Sequence, residues 1–188
     1  MPDLLADLTT LRLGGPAART VTVTSADGLV DAVRTADAAG ERVLVVGGGS
    51  NLVVADEGWP GVLVLVRTDG IGFSGTEDRV CVTAQAGVVW DDLVAITVRE
   101  GWSGLAPMSG IPGLAGATPI QNVGAYGSEV ADVISTLTVL DRHSGAVERW
   151  DPHRCGFGFR TSAFKHTDRY AKPHSAGAIT RTSSVVRS

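Results

Sequence analysis

The chain has 188 residues, 44% hydrophobic and 19% charged, enough to build the core of one medium domain or of two small ones packed together. A net charge of -4, with 16 basic residues spread along the chain, offers no clustered cationic face for nucleic-acid phosphates. No stretch approaches the roughly 20 apolar residues that span a bilayer, and Met1-Pro2-Asp3 opens no basic, apolar leader, which predicts a cytosolic address.

In chain order, Val21 and Val23 alternate with threonines from Thr20 to Thr24, the period of a half-buried strand. Ser25 then suits a helix N-cap, and Ala26, Leu29, Val30, Val33 and Ala36 share one helical face until Gly40. Val43 to Val46 is a continuous apolar run, hence a buried strand, and it enters Gly47-Gly48-Gly49-Ser50-Asn51 directly. Leu52 to Val54 and Val62 to Val66 read as two further strands, separated by a turn at Pro60-Gly61. Thr68 to Arg79 carries Gly70, Gly72 and Gly75 with little periodicity and reads as a seam between two lobes.

Val80 to Ala84 is the next strand, and Trp90 to Glu100 a short helix with Leu93, Val94 and Ile96 inward, ended by Gly101. Residues 101 to 127 hold seven glycines and three prolines, too many for a regular element, and a loop of that length inside a compact domain is usually functional. Thr136 to Leu140 and Ala146 to Trp150 flank a turn-rich connection and read as a hairpin. Residues 172–188 are rich in Ser and Thr, with no acidic or aromatic residue, and read as disordered.

Glycines after a buried strand let successive backbone amides converge on an anion, so Gly47 to Asn51 suits a diphosphate. It is neither a Rossmann fingerprint, since Leu52 stands where a third glycine belongs, nor a Walker loop, which needs Gly-Lys-Ser/Thr. A tight strand-to-strand turn is the plain alternative. The longer loop from Gly110 to Gly127 combines backbone access, proline stiffness and donors at Thr118, Gln121, Asn122 and Tyr126. A surface linker is the alternative there, although linkers seldom interleave Ile, Leu, Val and Tyr so often. Cys81 and Cys155 read as reduced thiols, and His143, His153, His166 and His174 show no metal-ligand spacing, so no metal is assigned.

These two loops, together with Thr9-Thr10-Leu11-Arg12-Leu13-Gly14-Gly15-Pro16-Ala17 and Gly158-Phe159-Arg160-Thr161-Ser162-Ala163-Phe164-Lys165, resemble the bacterial UDP-N-acetylenolpyruvoylglucosamine reductase family. The four motifs occur in order and cover the chain from about residue 4 to 171. The resemblance implies an α+β fold, a two-lobed FAD-binding domain of the vanillyl-alcohol-oxidase (PCMH) kind, with lobes at 1–68 and 69–171. It places the FAD diphosphate between the loops, against Gly47, Gly48, Gly49, Ser50 and Asn51 on one side and Gly113, Gly116, Ala117, Thr118, Gln121, Asn122, Gly124 and Tyr126 on the other. Neither loop contains a histidine for a covalent tether, so the FAD is expected to be noncovalent.

In that family NADPH reduces FAD, the enolpyruvyl group of UDP-GlcNAc-enolpyruvate then takes up the hydride, and the product is the peptidoglycan precursor UDP-N-acetylmuramate. Arg160 matches the family's active-site arginine, whose planar cation suits a carboxylate and the enol-like charge that develops on hydride addition. The family's proton-donating serine, its C-terminal glutamate and the substrate domain between them have no counterpart among these residues. The change of character after Ala171 predicts a frameshifted or early-ended product with an open apolar sheet edge, a genuine short variant being the alternative. On the sequence, a reductase in whole or part, a flavin-binding module without turnover, and another oxidase of the same flavin fold all remain open. A monomer is expected.

Overall fold

The computed structural model describes residues 4–76 and 79–165 in full and the backbone of 179–187. Its first half is a three-stranded parallel sheet in the order β1 (Ala17–Val23), β3 (Trp59–Val66), β2 (Val43–Val46), with the helix α1 (Ala26–Ala38) crossing over between β1 and β2. Ser25 caps α1 as predicted, its side chain accepting from Gly28 N at 3.1 Å. The unbroken apolar runs of β2 and β3 follow from burial on both faces. Val43, Val45, Val62, Val64 and Val66 pack on Leu29, Val30, Val33 and Ala36 of α1, while Leu44, Val46, Leu63 and Leu65 meet Leu5, Leu8, Leu52 and Val54. Leu52 to Val54, predicted as a strand, pairs with no strand, and Leu52 and Val54 cover the second face by side-chain packing.

The second half is a five-stranded antiparallel sheet in the order β4 (Ile71–Thr76), β5 (Arg79–Gln85), β10 (Ile179–Arg187), β8 (Ile134–Leu140), β9 (Val147–Trp150). The helix α2 (Trp90–Arg99) follows β5, and a two-stranded hairpin, β6 (Gly124–Ala125) and β7 (Ser128–Glu129), lies within the long loop. Trp90, Leu93, Val94 and Thr97 form the buried face of α2; Thr97 takes the inward place predicted for Ile96 because three-and-four spacing from Leu93 and Val94 lands there. The core of this half joins these residues to Leu105, Met108, Leu137, Trp150, Cys155 and Phe164. Among the side chains that bind the halves, Arg142 pairs with Asp37 of α1 at 2.5 Å, and Arg34 of α1 donates to Gly145 O in the β8–β9 turn.

Further expectations need correction. The predicted seam contains the edge strand β4, whose exposed face and glycines hide its alternation from the sequence. Of the tail predicted to be disordered, residues 172–178 lie outside the described residues, whereas 179–187 form β10 in the middle of the sheet. It pairs with β5 from Arg181 opposite Gln85 to Arg187 opposite Arg79, and with β8 on its other side. Its Ile, Thr and Val content suits a strand, and the vacant ladder between β5 and β8 supplies the partners that local composition ignores. The sheet edges among the described strands are therefore β4 and β9, and β5 and β8 are not left open.

Candidate functional site

The Gly47–Asn51 loop is fixed by its carbonyls and leaves its amides free. Gly47 O accepts from Arg67 Nη1 at 3.0 Å, and Gly49 O accepts from Thr10 N at 3.1 Å. Gly49 has φ +65, and a Cβ there would lie 1.9 Å from Leu8 O, so close packing of the N-terminal segment requires glycine. The N–H groups of Gly48, Gly49, Ser50 and Asn51 donate to no acceptor among the described residues. Four consecutive uncommitted donors in a glycine-rich turn offer the partial positive charge that suits a phosphate.

The second loop is pinned to the start of α2. Trp90 N donates to Gly113 O at 3.0 Å, and Gly116 N donates to Ala86 O at 2.9 Å. The Asp91 carboxylate accepts from Gly110 N and from Ser109 Oγ, which together pull its pKa below the usual range. So held, the loop abuts the first. A Cβ on Gly48 would stand 3.5 Å from Gly113 Cα, Ser50 Oγ lies 3.4 Å from Pro112 O, and Asn51 Nδ2 donates to Gln121 Oε1 at 3.3 Å. Gly47 to Asn51, Gly113 and Gln121 thus come together.

Several predicted cofactor contacts are committed elsewhere. The amides of Gly116, Ala117 and Thr118 bond within the protein, and the buried Thr118 hydroxyl donates to Ala115 O at 2.9 Å. Gly124 is pressed on its own hairpin, where a Cβ would sit 2.6 Å from Ser128 O, and Tyr126 stands 93% exposed at the hairpin tip. Asn122 is buried at φ +45; its Nδ2 donates to Glu129 Oε2 at 2.7 Å and to Gly158 O at 3.1 Å, and its Oδ1 accepts from Ala131 N. The Thr118 and Asn122 side chains are committed to the loop itself, whereas Tyr126 stands open to solvent.

Asn122 instead leads to Arg160. Gly158 and Thr161 bridge to form a tight turn with Phe159 and Arg160 at its tip, Arg160 at φ +54. Ser162 Oγ donates to Ile120 O at 2.6 Å, and Lys165 Nζ donates to Arg160 O at 2.8 Å. The backbone of the turn is held from both sides while the exposed Arg160 guanidinium has no acceptor among the described residues. Left-handed φ at a non-glycine residue persists only where its surroundings over-determine it, and these bonds do so. Among the described residues no three metal-ligating side chains gather, and His166 and His174 lie outside them.

The FAD binding domain family matches residues 17–151, the greater part of the chain. The chain belongs to that family. This FAD binding domain is 55% identical over 167 residues to a UDP-N-acetylenolpyruvoylglucosamine reductase of Salinispora arenicola, covering 88% of the chain and 46% of that relative. It is 54% identical over 166 residues to the reductase of the same name from Saccharopolyspora erythraea, covering 88% and 45%. The resemblance drawn from the four motifs is borne out, and the chain spans less than half the length of these curated relatives. Among solved structures, the UDP-N-acetylenolpyruvylglucosamine reductase of Thermus caldophilus superposes with a TM-score of 0.72 at 31% identity, over all of this chain and 62% of that one. The 6-hydroxy-D-nicotine oxidase of Arthrobacter nicotinovorans, at TM-score 0.61 and 19% identity over 89% of this chain and 36% of its own, shares the fold. The α+β FAD-domain expectation holds.

Sequence reasoning missed Arg67 and Glu129. Arg67 shows no motif, only a basic residue at a strand end, and Glu129 becomes relevant only when Asn122 turns inward to meet it.

Proposed function

We propose that this chain forms the FAD-binding part of an enzyme that reduces UDP-GlcNAc-enolpyruvate to UDP-N-acetylmuramate with NADPH, a step of peptidoglycan precursor synthesis that serves cell shape and division. The observation that carries the reading is the meeting of the two glycine-rich loops, with the uncommitted amides of Gly48 to Asn51 at their junction. That donor set fits a dinucleotide diphosphate: it is rigid, free of carboxylates, and lined by glycine backbone that allows close approach. Bound FAD supplies the relay of a hydride from NADPH to the enolpyruvyl carbon.

In this reading Gly48 to Asn51 hold the diphosphate while Gly113 and Gln121 close the other wall. Residues 1–68 and 69–171 act as the two lobes around it. Arg160, its side chain free and its backbone locked, binds the carboxylate of the substrate and stabilises the enolate charge that develops beside it. The cofactor is held noncovalently, the protein is monomeric, and its place is the cytosol, where UDP-sugars and NADPH are made.

The test is direct. The purified protein is denatured and the supernatant examined for released FAD; the apoprotein is then titrated with FAD by flavin fluorescence. A released flavin, or saturable uptake, is the expected result. Colourless protein that also fails to take up FAD overturns the proposal.

A further inference from the structure

We infer that Arg67 is a cationic ligand of the dinucleotide's diphosphate, an inference that rests on the FAD reading of the loop junction. Arg67 follows the last residue of β3, and its backbone is fixed, its N–H donating to Val23 O at 2.8 Å. Its Nη1 donates both to Gly47 O at 3.0 Å and to Val66 O at 2.8 Å, so the guanidinium is clamped beside the loop whose amides are uncommitted. Nε and Nη2 have no acceptor among the described residues. Arg19, Arg142 and Arg154 are each paired with a carboxylate, whereas Arg67 is paired with none among the described residues. An arginine anchored through two carbonyls and left without a counter-ion presents its remaining donors as a fixed fork.

Charge balance gives that fork its use. A diphosphate diester carries two negative charges, and loop amides meet them only with partial charges. The chain as a whole is at -4 and repels an anion at long range. A full positive charge at the loop offsets this locally and adds charge-assisted hydrogen bonds, which are about twice as strong as neutral ones. Because two of its donors already fix the side chain, little rotamer freedom remains to be lost on binding.

The experiment compares the full chain with Arg67→Gln and Arg67→Lys, titrated with FAD, ADP and riboflavin at low and high salt. Arg67→Gln is expected to raise the Kd for FAD and for ADP by about 10- to 100-fold, to leave riboflavin unaffected, and to flatten the salt dependence. Arg67→Lys recovers part of the loss by keeping the charge without the fork. An unchanged Kd for FAD and ADP in Arg67→Gln overturns the inference. An equal loss for riboflavin overturns it too, because it marks Arg67 as a brace for Gly47 and not a diphosphate ligand. If the wild-type chain takes up no FAD, the functional reading fails first; if it does and Arg67→Gln matches it, only the role of Arg67 fails.

Discussion

Gly48 and Gly49 are neighbours that lack side chains for different reasons. At Gly49 the positive φ and the Leu8 carbonyl 1.9 Å from a would-be Cβ make any substitution a folding defect. At Gly48 the nearest atom to a Cβ is 3.5 Å away, so alanine is accommodated by the protein and intrudes only on the space between the loops. Gly48→Ala is therefore expected to weaken FAD binding at least tenfold with little change in Tm, while Gly72→Ala, where a Cβ meets nothing within 4 Å, changes neither, as flavin titration and thermal melts would read. At Gly75 a Cβ would meet Arg79 O at 2.1 Å, so a substitution there disturbs the fold itself. Asn122→Ala leaves the Ala131 amide without its acceptor and takes one donor each from Glu129 and Gly158 O, and should cost about 1–3 kcal/mol in urea denaturation. Cys155 is buried, and burial, reinforced by the Asp151 charge, pushes its thiol up to about 12. Its pKa is raised on folding, so the unfolded chain releases this proton first as pH rises from about 8.5 toward 12, and stability falls across that window. Relative to Cys155→Ala, the wild type should lose stability from pH 8 to pH 10, and iodoacetamide should modify Cys81 well before Cys155.

At the scale of elements, local signals were sufficient where an element carries its own pattern. Ser25, the helical spacing of Leu29, Val30 and Val33, and Gly40 delimit α1 because caps and amphipathic faces are local properties. The two loops were legible because their glycines and prolines exclude regular structure. β4 was hidden since only Ile71 and Phe73 alternate between its glycines, and β10 since a polar segment becomes a strand only where a vacant ladder awaits it. The inward turn of Asn122 depends on Glu129 and on Gly158, which sequence spacing alone does not bring near it. Ser183 of β10 lies opposite both Thr83 and Thr136, so Ser183→Pro breaks a central ladder. Hydrogen exchange should then show β5 and β8 losing protection together while β2 and β3 keep theirs. Unchanged exchange in β5 and β8 would show that β10 does not support them.

For the molecule as a whole, FAD binding and turnover should separate. The 188-residue polypeptide, assayed by itself, is expected to hold FAD yet give no NADPH oxidation dependent on UDP-GlcNAc-enolpyruvate. In the role proposed for it Arg160 stabilises charge but does not deliver the proton that completes the reduction, and a positioned general acid contributes about 10²- to 10⁴-fold. A substrate left unpositioned forfeits up to roughly 7–11 kcal/mol more. Substrate-dependent oxidation abolished by Arg160→Ala would overturn this expectation. The placement of β10 also has a temporal consequence. β5 ends at Gln85 and its neighbour in the sheet begins at Ile179, with β8 made in between. During synthesis on the ribosome, both flanking strands emerge before the strand that joins them, and closing so long a span of chain slows completion of the sheet.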